Sequence, residues 1–339
     1  MPRTASKSVL QNKIVLLRLD LDLPIQDGQI IDDSRLKNVL PTIELCLNSA
    51  SKVFILGHLG QPSGVDPSFS LLPVAQRLSK ILQLPVPLFH DFHEVGEWRS
   101  GSSRLGMLEN LRFWPGEQKN DSEFTINLAQ LGEVFVNESF ATSHREVASI
   151  VGLPKHLPSY LGPNFSHELK TISPIIDNPK RPIILILGGI KADKIEFVDN
   201  FITHFDQVLL GGGLVREITD RPKLIKAELT SDNLDITPAS AQHFSRLISQ
   251  AQTIVWNGPL GKFEDPHARQ GTQIVAQAIA SSPAAYKLAG GGDTLSAIHQ
   301  LDLASKFDHL STGGGALLYY LAHHTLPGLE AIDASTLLH

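Results

Sequence analysis

Short, mostly unbroken apolar runs recur along this chain, each followed by an amphipathic stretch, and that alternation narrows the folds open to it. Candidate strands fall at 14–19, 52–56, 86–89, 106–108 and 134–137, and a second series at 183–187, 207–210, 253–256, 286–289 and 309–311. Between them, stretches such as 34–47, 71–82 and 269–280 repeat apolar residues at three and four, which is one face of a helix. A strand apolar on both faces must be covered on both faces, so the pattern predicts parallel sheets between helical layers. The expected architecture is α/β, built as two Rossmann-like three-layer lobes with mostly parallel sheets.

The rhythm breaks once. Pro154, Pro158, Gly162 and Pro163 end the first series, a helical stretch follows over about 165–176, and Pro179 and Pro182 close it. We read a hinge helix joining two lobes: an N-terminal lobe over 1–160, and the hinge with a C-terminal lobe over 161–325. With 339 residues, two domains agree with the length prior of about 150 residues each. The polar segment 216–235 yields no assignment.

Composition removes several classes. Lys and Arg number 29 against 35 Asp and Glu, a net charge of −6, which argues against a general nucleic-acid binder. The first apolar stretch is interrupted by Arg18 and Asp20, unlike a secretory signal, and no window reaches the roughly 18 apolar residues of a membrane span. The chain is expected to be soluble and cytoplasmic. Its one cysteine, Cys46, permits no internal disulfide and reads as a small buried hydrophobe. His90 and His93, and the pair His323-His324, offer no third metal ligand and read as solvated.

The second half places glycines directly after four of its strands: Gly188-Gly189, Gly211-Gly212-Gly213, Gly290-Gly291-Gly292 and Gly313-Gly314-Gly315. Such turns let the backbone approach a ligand and aim N–H groups and positive helix ends at an anion. In a parallel sheet they gather at the carboxyl ends of the strands, where ligands bind. Four in one half point to a polyphosphate or nucleotide. Neither G-x-x-x-x-G-K-[ST] nor a helix-opening G-x-G-x-x-G occurs, so the site is not a Walker loop or a dinucleotide fingerprint. Asp293, after three glycines and before Thr294, suits a carboxylate reaching Mg²⁺ on a phosphate chain, or a helix cap. Lys191 and Lys194 follow the first glycine pair.

The first half instead sets basic groups at or after strand ends: His58, Arg112 and Arg145, with Arg35 opening a helix. Arginine recognises carboxylate and phosphate through paired donors. One lobe for a nucleotide and one for a small acid, joined by a hinge, is how a two-substrate kinase is built, because phosphoryl transfer needs positioning, charge neutralisation and exclusion of water.

Several blocks resemble one family over nearly the whole length: Arg18-Leu19-Asp20-Leu21-Asp22-Leu23-Pro24, Asp32-Asp33-Ser34-Arg35, Gly57-His58-Leu59-Gly60-Gln61-Pro62, Leu108-Glu109-Asn110-Leu111-Arg112-Phe113, Trp256-Asn257-Gly258-Pro259-Leu260-Gly261, Gly290-Gly291-Gly292-Asp293-Thr294 and Ser311-Thr312-Gly313-Gly314-Gly315. The chain resembles the phosphoglycerate kinases. The resemblance implies reversible phosphoryl transfer between 1,3-bisphosphoglycerate and ADP, giving 3-phosphoglycerate and ATP, with Mg²⁺ accompanying the nucleotide, in a cytoplasmic monomer. It implies that Asp20, Asp22, Arg35, His58, Gln61, Arg112 and Arg145 face the acid substrate, Arg35 nearest the transferred group. It implies Gly188, Gly189, Lys191, Lys194, Gly212, Asn257, Glu264, Gly291, Gly292, Asp293 and Thr294 on the nucleotide side. Arg35, Lys194 and Gly314, at a helix N-terminus, would act on the transferring phosphate, and Asp293 would hold the metal. The tail 326–339 would return to the first lobe.

The chain departs from the family pattern in places. Asp22 stands for Asn, Gln61 for Arg, and Val147, beside Glu146, for a second His. Losing one charge-assisted hydrogen bond to phosphate costs on the order of 1.5–3 kcal/mol. A carboxylate about 5 Å from an anion adds roughly 3 kcal/mol of repulsion at an effective dielectric near 20. The lysine loop is one residue shorter, and a few dozen residues are missing, mainly between Gly213 and Ser240, where the family places a helix, a strand and part of the adenine pocket. Two alternatives therefore stand beside the kinase: a catalytically impaired relative that keeps the fold for nucleotide or partner binding, and a kinase for another small acid.

Overall fold

The computed structural model describes residues 2–189 and 192–336, without the side chains of Ala192 and Asp193. Lys191 lies outside the described residues. The chain divides into two compact units, one taking residues up to Leu169 and from Leu326 onward, the other Lys170–Thr325. The division falls inside the helix Pro163–Asp177, later than the proline cluster, because the first turns of that helix are anchored in the first unit. There the Glu138 carboxylate accepts from the Asn164 and Phe165 amides, both at 3.0 Å.

In the first unit the strands are β1 (Ile14–Arg18), the hairpin β2 (Ile25–Gln26) and β3 (Gln29–Ile30), β4 (Lys52–Leu56), β5 (Leu88–Phe89), β6 (Leu105–Leu108), β7 (Val134–Asn137) and β8 (Ser159–Leu161). Six form one sheet in the order β5-β6-β4-β1-β7-β8, every pairing parallel. The two-residue period of a strand sorts its apolar side chains into two layers. Val15, Leu17, Val53, Ile55, Val134 and Val136 pack with Ile43, Cys46 and Leu78 on one face. Leu16, Phe54, Leu56, Leu108 and Phe135 pack with Val95, Trp98, Phe124 and Leu128 on the other. The helix expected over 34–47 is two helices, Ser34–Asn38 and Leu40–Ser49. Pro41 has no N–H to give a preceding turn and is tolerated only where a new helix starts. The helix Pro327–Ser335 belongs to this unit. Its Gly328 amide donates to the Ser143 carbonyl at 2.9 Å, and it buries Leu329 and Ile332.

The second unit carries β9 (Ile183–Leu187), β10 (Gln207–Leu210), β11 (Leu224–Lys226), β12 (Thr253–Asn257), β13 (Tyr286–Gly290) and β14 (His309–Ser311). They form one parallel sheet in the order β11-β10-β9-β12-β13-β14. Counted from its own first strand this is 3-2-1-4-5-6, which reverses direction between β9 and β12 and opens a ligand crevice at their carboxyl ends. Ile184, Ile186, Ile254 and Trp256 pack on Phe244 and Ile248 of one helix and Val275 and Ile279 of another. Strand β11 lies in the segment that gave no assignment. It is a three-residue, half-buried edge strand, so it carries no apolar alternation to read. The shortening after Gly213 leaves only a four-residue helix, Leu214–Glu217, before it.

Candidate active site

Parallel strands put all their carboxyl ends on one edge, and the basic groups of the first unit collect there. Arg18 is the last residue of β1. His58 follows β4, Arg112 lies in the turn after β6, and Arg145 lies in the turn after β7. Arg35 sits in the first turn of Ser34–Asn38. The turns are held by buried polar side chains. Asn110 accepts from the Leu59 and Arg112 amides and donates to the Leu59 and Phe69 carbonyls, tying the His58 loop to the Arg112 turn. The Glu109 carboxylate accepts from the Leu71 and Asn110 amides, each at 2.7 Å, and from the Ser70 hydroxyl.

Four guanidinium groups, of Arg18, Arg112, Arg145 and Arg35, act on His58. Burial and then these four charges push the His58 pKa well below its ordinary value, so the ring is neutral at physiological pH. Burial holds Arg112 down to about 10, with Arg145 adding repulsion. Arg35 donates to Asp20 Oδ2 and to the Asp22 carbonyl, both at 3.1 Å. Burial raises the Asp20 pKa, and the Arg35 charge opposes the rise. Asp22 turns its carboxylate onto the Gly60 amide at 2.8 Å, which fixes the loop that also gives its Gly60 carbonyl to Arg112. Gln61, in the same loop, is exposed and without a hydrogen-bond partner among the described residues. The arrangement is a cationic basin with arginines already oriented by acids, suited to a small polyanion.

Sequence reasoning left three members of this cluster without a role. Arg18, the Ser149 that accepts from its Nε at 3.0 Å, and Glu117, which accepts from the Ser149 hydroxyl at 2.6 Å, are all buried. The available signal was Arg18 itself, a charge at the end of a strand whose other residues are apolar.

In the second unit the glycine turns meet along the crevice edge. The Gly188 amide donates to the Asn257 carbonyl and the Gly189 amide to the Pro259 carbonyl. A Cβ on Gly188 would lie 2.1 Å from the Pro259 carbonyl oxygen, so only glycine lets these two turns touch. Gly212, at φ +64°, packs on the Gly189 backbone. Gly314 packs on Gly291, its missing Cβ 2.7 Å from the Gly291 Cα, and Asn257 Nδ2 donates to the Gly314 carbonyl at 3.3 Å. Thr294 is fully buried and its hydroxyl accepts the Gly258 amide at 2.7 Å, so it braces one turn against another. Two helices, Gly292–Gln300 and Gly314–His323, begin at this edge, and their first-turn amides are free to meet an anion. Asp293 is exposed in the first of them, and its carboxylate bonds to no described residue. Glu264 is exposed in the turn after β12. Lys194 is turned inward, its Nζ donating to the Gly188 carbonyl at 2.8 Å and the Asn257 carbonyl at 3.3 Å.

A family model described as phosphoglycerate kinase matches residues 6–221 and 221–324, which is most of the chain. The chain belongs to the phosphoglycerate kinase family. The phosphoglycerate kinase of Thermus thermophilus is 34% identical over 382 aligned residues, covering 95% of this chain and 97% of that protein. That of Clostridium kluyveri is 36% identical over 385, covering 96% of each. Among solved structures, the phosphoglycerate kinase of Pyrococcus horikoshii superposes with a TM-score of 0.82 at 29% identity, covering 97% of this chain and 98% of that one. That of Coxiella burnetii gives 0.78 at 32%, covering 96% and 97%. As a member of the phosphoglycerate kinases the chain is an enzyme of the phosphotransferase class, and membership over nearly its full length favours the kinase over the two alternatives.

The remaining candidates stay outside the site. Burial pushes the Cys46 thiol up to about 12, which leaves it inert. His90 lies 3.7 Å from Glu109, and His323 and His324 stack on Tyr319 and His204. Among the described residues no group of three His, Cys, Asp or Glu is placed to hold a metal, and no helix is long and apolar enough to cross a membrane.

Proposed function

We propose that this chain transfers a phosphoryl group reversibly between 1,3-bisphosphoglycerate and ADP, and that it works as a cytoplasmic monomer. The observation that carries the assignment of residues is the cluster of arginines around a neutral His58 at the carboxyl edge of the first sheet. Arg112, Arg145 and His58 hold the acid, with Asp20 orienting Arg35 towards the transferred group. On the nucleotide side the amides of the Gly188, Gly212, Gly291 and Gly292 turns take the phosphates, with Asn257, Glu264, Lys191 and Lys194 beside them. The N-terminus at Gly314 stabilises charge on the phosphoryl group in flight, an arrangement fixed before reaction begins.

The donor set fits Mg²⁺ brought in with the nucleotide. Asp293 is one exposed carboxylate beside a phosphate-binding helix end, and this cation takes few protein oxygens and several from phosphate. When bound, the ion neutralises charge on the phosphate chain. Hinge closure about the segment 163–177 completes the proposal, since the transfer requires water to be excluded.

The test is ADP formation from Mg-ATP with and without 3-phosphoglycerate, the acyl phosphate being drawn off by a coupled dehydrogenase. A 3-phosphoglycerate-dependent rate that drops by roughly 10²–10³ in Arg35→Ala is the expected result. No dependence in protein that unfolds cooperatively would refute the assignment.

A further inference from the structure

Arg18 is held on every side. Its Nε donates to Ser149 Oγ at 3.0 Å, Nη1 donates to the Leu19 carbonyl, and Nη2 lies 3.0 Å from His58 Nδ1. Ser149 in turn donates its hydroxyl to Glu117 Oε1 at 2.6 Å, and Glu117 Oε2 accepts the Ser149 amide at 3.0 Å. A guanidinium has donors only and keeps its protons at any relevant pH. The His58 nitrogen facing it must therefore accept, and the single proton of the neutral ring sits on the opposite nitrogen, Nε2.

We infer that Arg18, locked by Ser149 and Glu117, is a positioning residue that keeps His58 as the uncharged Nε2–H imidazole, so that His58 meets the acid substrate as a neutral hydrogen-bond donor. The identity of that acid rests on the function proposed above. The charges that act on the ring come from four elements and share one sign: Arg18 from β1, in contact with it, Arg35 from the helix Ser34–Asn38, Arg112 from the turn after β6 and Arg145 from the turn after β7. The nearest acids are occupied elsewhere, Asp20 with Arg35, Asp22 with the Gly60 amide and Glu117 with Ser149. Nothing in the cluster stabilises an imidazolium. Division of labour follows: arginines supply the charge and His58 supplies direction.

The experiment is ¹⁵N spectroscopy of the full-length protein labelled at histidine, with His58 assigned by comparison with His58→Gln. The expected spectrum has a protonated Nε2 and a bare Nδ1, unchanged between about pH 5.5 and pH 8, the range in which an ordinary histidine titrates. A protonated Nδ1, or an imidazolium appearing within that range, overturns the inference. Arg18→Met removes the donor that faces Nδ1, and is expected to let the Nδ1–H tautomer appear beside Nε2–H and to raise the KM for 3-phosphoglycerate roughly tenfold, with a smaller change in kcat. Arg18→Lys, which keeps a charged donor, is expected to restore the single Nε2–H form. If Arg18→Met fails to fold, the wild-type and Arg18→Lys spectra still decide. If 3-phosphoglycerate leaves the His58 signals unmoved while the Nε2–H form persists, the substrate assignment fails and the role of Arg18 stands.

Discussion

Replacing Glu138 by Gln tests the electrostatics of the first unit with a magnitude the structure supplies. Glu138 is buried, and burial drives its carboxyl up to about 7, against hydrogen bonds from Thr42 and the Phe165 and Asn164 amides. The ordinary glutamate value, which the unfolded chain keeps, is 4.5. Between those two values the native state binds the proton and the unfolded state has released it, so stability falls as pH rises. The contribution is complete below about pH 4.5 and lost above about pH 7, a swing of about 3 kcal/mol at 1.36 kcal/mol per unit. Asn164 and Phe165 donate to different oxygens of Glu138, so Gln keeps an acceptor for only one of the two amides; that loss is the same at every pH, and Gln does not titrate. The stability of Glu138→Gln relative to wild type should therefore climb by about 3 kcal/mol from pH 4.5 to pH 7.5, since every other titration cancels in the difference. Amide hydrogen exchange in β1 and β7, read as a pH series in both proteins, measures that difference within the first unit alone. A difference that stays flat over the series would show that the carboxyl titrates normally and would refute the account of its burial.

Three further outcomes are expected. Thr294→Val keeps the volume and removes the acceptor of the Gly258 amide, which should lower stability by about 1–3 kcal/mol in chemical unfolding of the second unit. Gly188→Ala forces a methyl group to within 2.1 Å of a backbone oxygen, and should cost about 1–3 kcal/mol and raise the KM for nucleotide while leaving that for 3-phosphoglycerate unchanged. Gln61→Arg adds a cation at an exposed position of the acid-site loop, and should lower the KM for 3-phosphoglycerate by roughly threefold to tenfold, an effect that shrinks as salt is raised from about 50 mM to about 500 mM, because the Debye length then falls roughly threefold.

The strands that run through the middle of each sheet were readable because nothing but apolar side chains fits between two helical layers; β4, β7 and β9 match their expected spans. Of the four edge strands, β5 and β14 fall within expected spans, while β8 and β11 escaped. Each is three residues long, and Tyr160 and Lys226 in them are half-buried, so neither run is marked by composition. The site divides the same way. Arg35, His58 and Arg112 stood out because charge after an apolar run requires a reason, and the glycine turns stood out by repetition. The inward turn of Lys194 and the bracing by Thr294 were hidden, because both depend on carbonyls and amides brought together from distant loops. Asp22 shows the limit most clearly. Its charge reads as repulsion towards a bound anion, while the fold uses it as a hydrogen-bond acceptor that shapes the Gly60 loop.

The return of the helix Pro327–Ser335 to the first unit bears on how the chain is made. Residues up to Leu169 leave the ribosome first, but the surface formed by Val147, Ile150 and Val151 waits for a helix encoded beyond the 156 residues of Lys170–Thr325. At typical synthesis rates that interval is roughly 10–30 s. During it the second unit, contiguous in sequence, has everything it needs to fold, while the first exposes an apolar face to its surroundings. The first unit is thus the last to close, its apolar face completed only when the helix Pro327–Ser335 has been made.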